Sequence, residues 1–195
     1  MEETIKERKK ALRRVYLAAR SAMGPQGRTA ASAKICRSLQ ALPQLERAKI
    51  FLSYSPMEEE TDVTAFHAWA AGRGIDIAYP VTGKGGQMKA YIPRSASAMR
   101  PDRYGILSPV PEESEYIAPE RLDAVLVPCV AFTADGMRLG HGGGYYDRYL
   151  PRCPQAVRVL PAFAAQCAPE LPTDGYDLPV HIIVTENGVT ELTEG

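Results

Sequence analysis

Four short apolar runs, each bounded by turn residues, constrain the fold of this chain more than any other feature. Runs of this length and composition are typical of parallel strands that are buried on both faces of a sheet. They cover residues 48–54, 75–81, 124–130 and 156–163. Between the first two, residues 61–71 carry Phe66 and Trp69 at helical spacing and are followed by Gly74, which predicts a strand-helix-strand unit. The pattern predicts an α/β fold with a mostly parallel sheet sandwiched by helices.

The remaining segments complete this picture. Residues 2–23 carry apolar side chains at helical spacing among many Lys and Arg, which predicts an amphipathic helix, and a second helix is predicted for residues 30–42. Further strands are predicted at residues 88–93 and 181–185, and the Pro- and Glu-rich stretch 101–119 reads as an irregular surface excursion. With 195 residues and 45% apolar composition, we expect a single domain spanning 1–195.

Composition argues against several classes of partner. Lys plus Arg equals Asp plus Glu at 23 each, so the chain has no overall field to hold nucleic acid or an anionic membrane, and an anion site must be local. The charged N-terminus lacks the apolar stretch of a secretory signal, and no run is long enough to cross a bilayer. The four Cys lack ligand spacing, which favours reduced thiols over disulfides or zinc. We expect a cytoplasmic protein, most simply a monomer.

A glycine-rich loop within residues 126–150 is the most informative part of the chain for function. A buried strand runs into this loop, and a polar and aromatic helix start follows it. Glycine lets the backbone approach a ligand and adopt positive φ, so that consecutive N–H groups can converge on phosphate oxygens. Arg138 and Arg148 flank the loop and can neutralise phosphate charge. The glycines are Gly136, Gly140, Gly142, Gly143 and Gly144. We therefore predict a site for a nucleotide polyphosphate.

Two commoner phosphate-binding motifs do not match this chain. Tyr145 stands where the dinucleotide fingerprint requires its third Gly, and the Walker spacing is absent. The Gly-rich residues 83–86 have no Ser or Thr after Lys84 and precede a predicted strand, so they predict a hairpin-like turn. Asp147 lies in the first turn after the main loop, where a carboxylate can cap the helix or reach a Mg²⁺ ion that bridges phosphates. The residues alone leave both roles open.

At this loop the chain resembles a known family. Residues 138–148, RLGHGGGYYDR, resemble the signature R-L-G-x-G-x-G-Y-Y-D of 5-formyltetrahydrofolate cyclo-ligases. Lys9 and Arg13 resemble the family's N-terminal K-x-x-x-R element, and Glu60 resembles the acid of its E-x-D-T segment. Two further Glu residues directly before Glu60 leave the register of this acid open. The resemblance covers nearly the whole chain.

The resemblance implies a fold, an activity and a set of site residues. The fold would be an α/β sandwich related to the sugar-phosphate isomerase and CoA-transferase superfamily. The enzyme would be a ligase that uses Mg²⁺ and ATP to cyclise 5-formyltetrahydrofolate to 5,10-methenyltetrahydrofolate. The ATP contacts would be Lys9, Arg13, Arg138, Leu139, Gly140, His141, Gly142, Gly143, Gly144, Tyr145 and Tyr146. The folate contacts would be Ser55, Glu60, His141, Gly142, Gly143, Gly144 and Tyr145. Catalytic groups would be Arg138, Asp147 and Arg148, and the Mg²⁺ ligands Asp147 and Asp177.

Two other functions compete with this reading. One is a different phosphate-using enzyme on the related fold, which would need its own catalytic Glu or Lys motif, and fold alone does not establish function. The other is a non-catalytic protein that binds folate or nucleotide, which the presence of Arg138, Asp147 and Asp177 disfavours. The requirement for ATP and for Mg²⁺ in turnover discriminates among the three.

Overall fold

A mostly parallel eight-stranded sheet forms the centre of the structure, a computed structural model that describes residues 4–103, 105–175 and 177–192. The strands of all sheets in the described residues are β1 (Ile50–Leu52), β2 (Asp76–Thr82), β3 (Met88–Pro93), β4 (Met99–Pro101), β5 (Leu107–Pro109), β6 (Ser114–Ile117), β7 (Ala124–Leu126), β8 (Ala131–Thr133), β9 (Arg138–Leu139), β10 (Val157–Pro161), β11 (Cys167–Ala168), β12 (Ile182–Thr185) and β13 (Gly188–Glu191). The central sheet has the order β13-β12-β10-β7-β1-β2-β3-β6. Strands β12, β10, β7, β1 and β2 are parallel, whereas β13 and β3 run antiparallel to their neighbours. The predicted α/β class is confirmed.

The helices begin and end close to where the sequence pattern places them, with two exceptions. They are α1 (Ile5–Ala22), α2 (Gly24–Gln40), α3 (Pro43–Glu46), α4 (Thr64–Gly72) and α5 (Tyr145–Tyr149). Helix α2 begins at Gly24 rather than near residue 30, so its predicted start was wrong, whereas its end at Gln40 lies close to the predicted residue 42. The short helix α3 was not predicted. Gly24 adopts a φ of +65°, which turns the chain directly from α1 into α2, and Pro25 lies in the first turn, where a missing N–H costs nothing. Of the helices in the described ranges, none is both long and apolar enough to cross a membrane.

The sheet buries side chains on both faces, as its apolar strands predict. Along β1, Phe51 joins one hydrophobic cluster with residues of α2 and α4, whereas Leu52 joins a second cluster on the opposite face. The ring of Phe66 lies 5.2 Å from that of Phe51 and 5.4 Å from that of Trp69, measured between centroids. The prediction that Phe66 and Trp69 share one helix face is confirmed.

The stretch 101–119 is more regular than the sequence pattern indicates. It contributes β5, which pairs with β4, and β6, which pairs with β3 and forms one edge of the central sheet. The expectation of an irregular excursion was therefore wrong. Strand β6 is short, with Glu115 and Tyr116 exposed, as is common for edge strands, and the surrounding Pro residues obscure its pattern. The predicted turn at residues 83–86 is confirmed, because it joins the antiparallel strands β2 and β3.

A second, three-stranded sheet positions the glycine-rich loop. The predicted strand 124–130 ends as β7 at Leu126, and the chain then continues into β8, which pairs antiparallel with β9 and parallel with β11. Buried Gln166 fixes the connection: its Nε2 donates to the carbonyls of Cys129 and Val130 at 3.0 Å, and its Oε1 accepts from the N–H of Phe163 at 3.0 Å. The small sheet therefore carries β9, and the loop after it, beyond the carboxyl end of β7.

Candidate active site at the glycine-rich loop

The loop at residues 140–144 joins β9 to α5 and is exposed at its tip. Gly142 has a φ of +101° and Gly144 a φ of +62°, both in the region that favours glycine. A Cβ at Gly142 would also come within 3.3 Å of the Arg13 guanidinium carbon. The glycines thus allow a backbone conformation, and a close approach of a cation, that other residues would oppose.

Helix α1 reaches this loop through Arg13. Its Nε donates to the carbonyl oxygen of Gly140 at 2.7 Å, across 127 residues of sequence. Burial lowers the pKa of Arg13, and the nearby charge of Asp147 opposes that shift. Arg13, the loop and Asp147 are therefore neighbours, as the expected nucleotide site requires.

A buried ion pair closes the base of the loop. Arg138 Nη2 lies 2.5 Å from Asp147 Oδ1, and the Arg138 side chain is only 4% exposed. The Arg138 Nε is buried with no hydrogen-bond partner among the described residues, and its guanidinium carbon lies 5.9 Å from the centroid of the Tyr146 ring. Burial raises the pKa of Tyr146, and its hydroxyl likewise has no partner in the described part of the chain. Two buried donors thus remain available to a ligand.

Arg148 braces the loop from outside. Its Nη2 donates to the Gly143 carbonyl at 2.6 Å and its Nε to the Gly86 carbonyl at 3.2 Å, while its guanidinium carbon lies 5.8 Å from the centroid of the Tyr145 ring. Arg148 therefore ties the glycine loop to the β2–β3 turn. In this arrangement the Arg148 Nε and Nη2 donate to backbone carbonyls and are not free to bind an anion.

Lys9 joins α1 to the segment before β12. Its Nζ lies 2.9 Å from Asp174 Oδ2 and 2.8 Å from Asp177 Oδ2, and Asp177 also accepts from the N–H of Asp174 at 2.9 Å. Burial alone would lower the pKa of Lys9, but the hydrogen bonds from Asp177 and Asp174 outweigh it and raise the pKa. The two expected Mg²⁺ ligands are thus each paired with a cation, Asp147 with Arg138 and Asp177 with Lys9.

Glu60 is the buried residue of the three consecutive glutamates at 58–60, and its side chain contacts the glycine loop. Its Oε1 lies 3.0 Å from His141 Nε2, and its Oε2 accepts from the N–H of Met57 at 3.0 Å. Glu59 instead accepts from Ser21 on α1, and Glu58 is exposed. The geometry supports Glu60 as the acid that faces the site.

A small cavity lies beside Glu60, past the carboxyl ends of the central strands β1, β7 and β10. The Tyr54 hydroxyl lines it and donates to the Thr61 carbonyl at 3.1 Å. Burial, and then the charge of Glu60, raises the pKa of Tyr54. Ser55, an expected folate contact, does not line this cavity; its hydroxyl donates to the Leu107 carbonyl at 2.6 Å. The lining residues are Arg20, Tyr54, Glu60, Thr61, Pro128, Cys129, Pro161 and Gln166.

Arg20 is a residue of this region that sequence reasoning missed. It is the buried residue of α1, only 5% exposed, and it lines the same cavity as Glu60. A signal was present, because Lys9, Arg13 and Arg20 lie four and seven residues apart and therefore share one helix face. The many other basic residues of the helix conceal that spacing.

Comparisons with known proteins identify the family of this chain. Residues 5–186 match the model of the 5-formyltetrahydrofolate cyclo-ligase family. The 5-formyltetrahydrofolate cyclo-ligase of Escherichia coli K12 is 31% identical over 147 residues, which cover 73% of this chain and 79% of that protein. A mouse protein of the same name is 42% identical over 71 residues, about a third of either chain.

A solved structure extends the likeness to the whole fold. The NMR structure of Aquifex aeolicus 5,10-methenyltetrahydrofolate synthetase superimposes with a TM-score of 0.83 at 33% identity, covering 96% of this chain and 94% of that one. The family match spans nearly every element that builds the site, including α1, β9 and α5. The chain belongs to the 5-formyltetrahydrofolate cyclo-ligase family.

Proposed function

We propose that this enzyme uses Mg²⁺ and ATP to cyclise 5-formyltetrahydrofolate to 5,10-methenyltetrahydrofolate, with release of ADP and phosphate. One observation carries the proposal: a single glycine loop contacts two different sets of side chains. Gly140 accepts from Arg13 on α1, whereas His141, the next residue, meets Glu60 after β1. Two substrates bound on these two sides would meet at the loop. Such an arrangement suits the transfer of a phosphoryl group from one substrate to the other.

The nucleotide would bind between the loop and α1. Lys9, Arg13 and Arg138 supply positive charge there. Residues 141–143 are exposed, and because two of them are glycines, no side chain covers their backbone N–H groups. Fixed cations and N–H groups around the triphosphate stabilise the charge that moves during phosphoryl transfer. We infer that, when the nucleotide binds, its phosphates pair with Arg138 and Lys9 in place of Asp147 and Asp177.

The residues present fit Mg²⁺. Asp147 and Asp177 offer carboxylate oxygens, the ligand type that Mg²⁺ prefers, and they keep partial exposure with side chains 28% and 12% accessible. Within the described residues no three His, Cys, Asp or Glu side chains cluster as metal ligands. Mg²⁺ typically takes one or two carboxylates together with phosphate and water, so a dedicated cage is not needed. When bound, the ion would neutralise charge on the phosphate oxygens.

The reaction needs activation because a formamide is a weak electrophile and oxide is a poor leaving group. In the proposed sequence the formyl oxygen attacks the γ-phosphorus and the bond from that phosphorus to the bridging oxygen of ADP breaks. The N10 amine then adds to the activated carbon and loses its proton, and the carbon–oxygen bond breaks as inorganic phosphate leaves. The chain's own part is to align the formyl oxygen with the γ-phosphate and to hold positive charge from Arg13 and Arg138 at the transferred group.

The folate would bind with its pterin edge at Glu60. The amino and ring N–H groups of a pterin are donors, and an ionised carboxylate provides matching acceptors. The contact between His141 and Glu60 would hold the loop and the Glu60 side chain at a fixed distance while both substrates bind. We further propose that the enzyme works as a cytoplasmic, single-domain monomer, with small molecules as its partners.

The test is an absorbance assay with purified protein, 5-formyltetrahydrofolate, ATP and Mg²⁺. Formation of the methenyl product should raise the near-ultraviolet absorbance only when ATP and Mg²⁺ are both present. A rise that needs neither would indicate a different reaction. Folded protein that binds 5-formyltetrahydrofolate but gives no rise would identify a non-catalytic binding protein instead.

A further inference from the structure

Arg20 carries a buried charge that the protein itself leaves without hydrogen bonds at two nitrogens. Its Nε and Nη1 are buried, and neither has a partner among the described residues. The residue is 5% exposed, so bulk solvent reaches little of it. Leaving donors of a charged group unpaired in the interior is costly, and proteins retain such groups mainly where a ligand satisfies them.

The surroundings of Arg20 indicate what that ligand must offer. The cavity that Arg20 lines is also lined by Glu60, so a donor and an acceptor face the same small space. Glu60 already bonds to His141 and to the Met57 N–H, and it forms no ion pair with Arg20 within 4 Å. The Tyr54 hydroxyl donates to the Thr61 carbonyl, and its oxygen accepts from neither of the two buried Arg20 nitrogens. An oxygen acceptor from outside the chain is what the guanidinium lacks.

We propose that Arg20 donates hydrogen bonds to the ring carbonyl of the pterin and so selects a 4-oxo over a 4-amino ring. This inference rests on the proposed function. In a pterin the C4 carbonyl adjoins the N3–H, which in turn adjoins the 2-amino group. When Glu60 accepts from the two N–H groups, the carbonyl lies beside them, and Arg20 donates to it from the same cavity. A 4-amino ring would instead present donors to the guanidinium.

The experiment compares two ligands on matched variants. The probes are 5-formyltetrahydrofolate and its 4-amino counterpart, and binding is measured by calorimetry with Mg²⁺ and a non-hydrolysable ATP analogue. The variants are Arg20→Met and, as the matched control, Arg14→Met, which removes an exposed Arg from the same helix. Wild type and the Arg14 variant should prefer the 4-oxo ligand by about tenfold or more, as expected for a charge-assisted hydrogen bond. Arg20→Met should reduce that preference by about fivefold or more. The part that remains belongs to Glu60, because a neutral 4-amino ring also lacks the N3–H from which Glu60 accepts.

Thermal unfolding of the same proteins separates ligand binding from a structural role. Because Arg20→Met removes a buried charge that leaves two nitrogens without hydrogen bonds, its unfolding midpoint should equal or exceed that of wild type. An unchanged preference overturns the inference, as does an equal loss of affinity for both ligands together with a lower midpoint. If Arg20→Met does not fold, Arg20→Gln carries the same test of preference. A wild-type protein that neither binds nor cyclises 5-formyltetrahydrofolate refutes the proposed function itself, whereas normal cyclisation with an unchanged preference refutes only the role of Arg20.

Discussion

His141 Nε2 lies 3.0 Å from Glu60 Oε1, although 81 residues separate them in the chain. This contact joins the glycine loop after β9 to the loop after β1. Since the loop also accepts from Arg13 at Gly140, its position depends on both sides of the site. Binding of folate at Glu60 should therefore order the loop for the nucleotide, and the reverse should also hold.

Replacing Glu60 by Gln should weaken folate binding selectively. The change keeps the shape of the side chain but removes the charge of the acceptor, so the KM for 5-formyltetrahydrofolate should rise about 10- to 30-fold, corresponding to about 1.4–2 kcal/mol. The KM for ATP should change by less than about threefold. Glu58→Gln is the control, because Glu58 is exposed. If both variants had the same KM for 5-formyltetrahydrofolate, the result would show that Glu60 does not contact the folate.

Replacing Lys9 by Met should weaken ATP binding. The Lys9 side chain is 15% exposed, and its ammonium group bonds to Asp174 and Asp177. On our account it exchanges these carboxylates for phosphate oxygens. The KM for ATP should rise by about tenfold, about 1.4 kcal/mol, with little change in the KM for folate. Steady-state kinetics on Lys10→Met provides the comparison, since Lys10 is exposed on the same helix. Two indistinguishable variants would show that Lys9 serves only to hold α1 in place.

Asp147→Asn should abolish most turnover and also reduce stability. The buried guanidinium of Arg138 would lose its ionic partner, which should lower the free energy of unfolding by about 2 kcal/mol, less than for a fully buried pair because Asp147 is 28% exposed. Urea unfolding measures that loss. The double variant Arg138→Met/Asp147→Asn should recover stability but not turnover. If the double variant regains activity, neither residue is needed at the reacting phosphate.

Stability should fall as the pH drops from about 6.5 to about 4 because of His67. Burial lowers its pKa from 6.5 to about 4, and its ring nitrogens lie 2.7 Å from Ser53 Oγ and 3.3 Å from the Tyr79 hydroxyl. In that window the unfolded chain binds a proton that the folded protein excludes, so stability rises with pH and is complete above about 6.5. By pH 5 the loss should be about 2 kcal/mol.

Urea unfolding at pH 7.5 and pH 5 tests the role of His67. His67→Gln should show a smaller loss between the two pH values than wild type does. An identical loss in both proteins would assign the acid sensitivity to other groups.

Local pattern was sufficient to predict the parallel strands and the glycine loop. The central strands β1 and β7 are buried along their whole length and therefore have the composition of apolar runs, and the loop conformation at Gly142 and Gly144 depends on glycine itself. The edge strand β6 was missed because an exposed edge needs no apolar run and tolerates Pro and Glu nearby. The sequence pattern alone therefore identified the centre of the sheet but not its margin.

Long-range pairing within the site could not be predicted from the sequence. Lys9 and Asp177 are 168 residues apart, and both were assigned to ligands rather than to each other. Arg20 was not singled out from the sequence, because local pattern does not show that α1 places this position against the carboxyl ends of the strands. Its burial became visible only in the folded chain.

The coupling of the two substrates is the central claim, and counting products tests it most directly. Wild-type protein is mixed with Mg²⁺, ATP and 5-formyltetrahydrofolate, and ADP and methenyltetrahydrofolate are quantified in the same quenched samples. We predict one ADP for each methenyl product, and neither product when either substrate is omitted. Methenyl product formed without ADP, or ADP formed at the same rate without folate, would contradict the account.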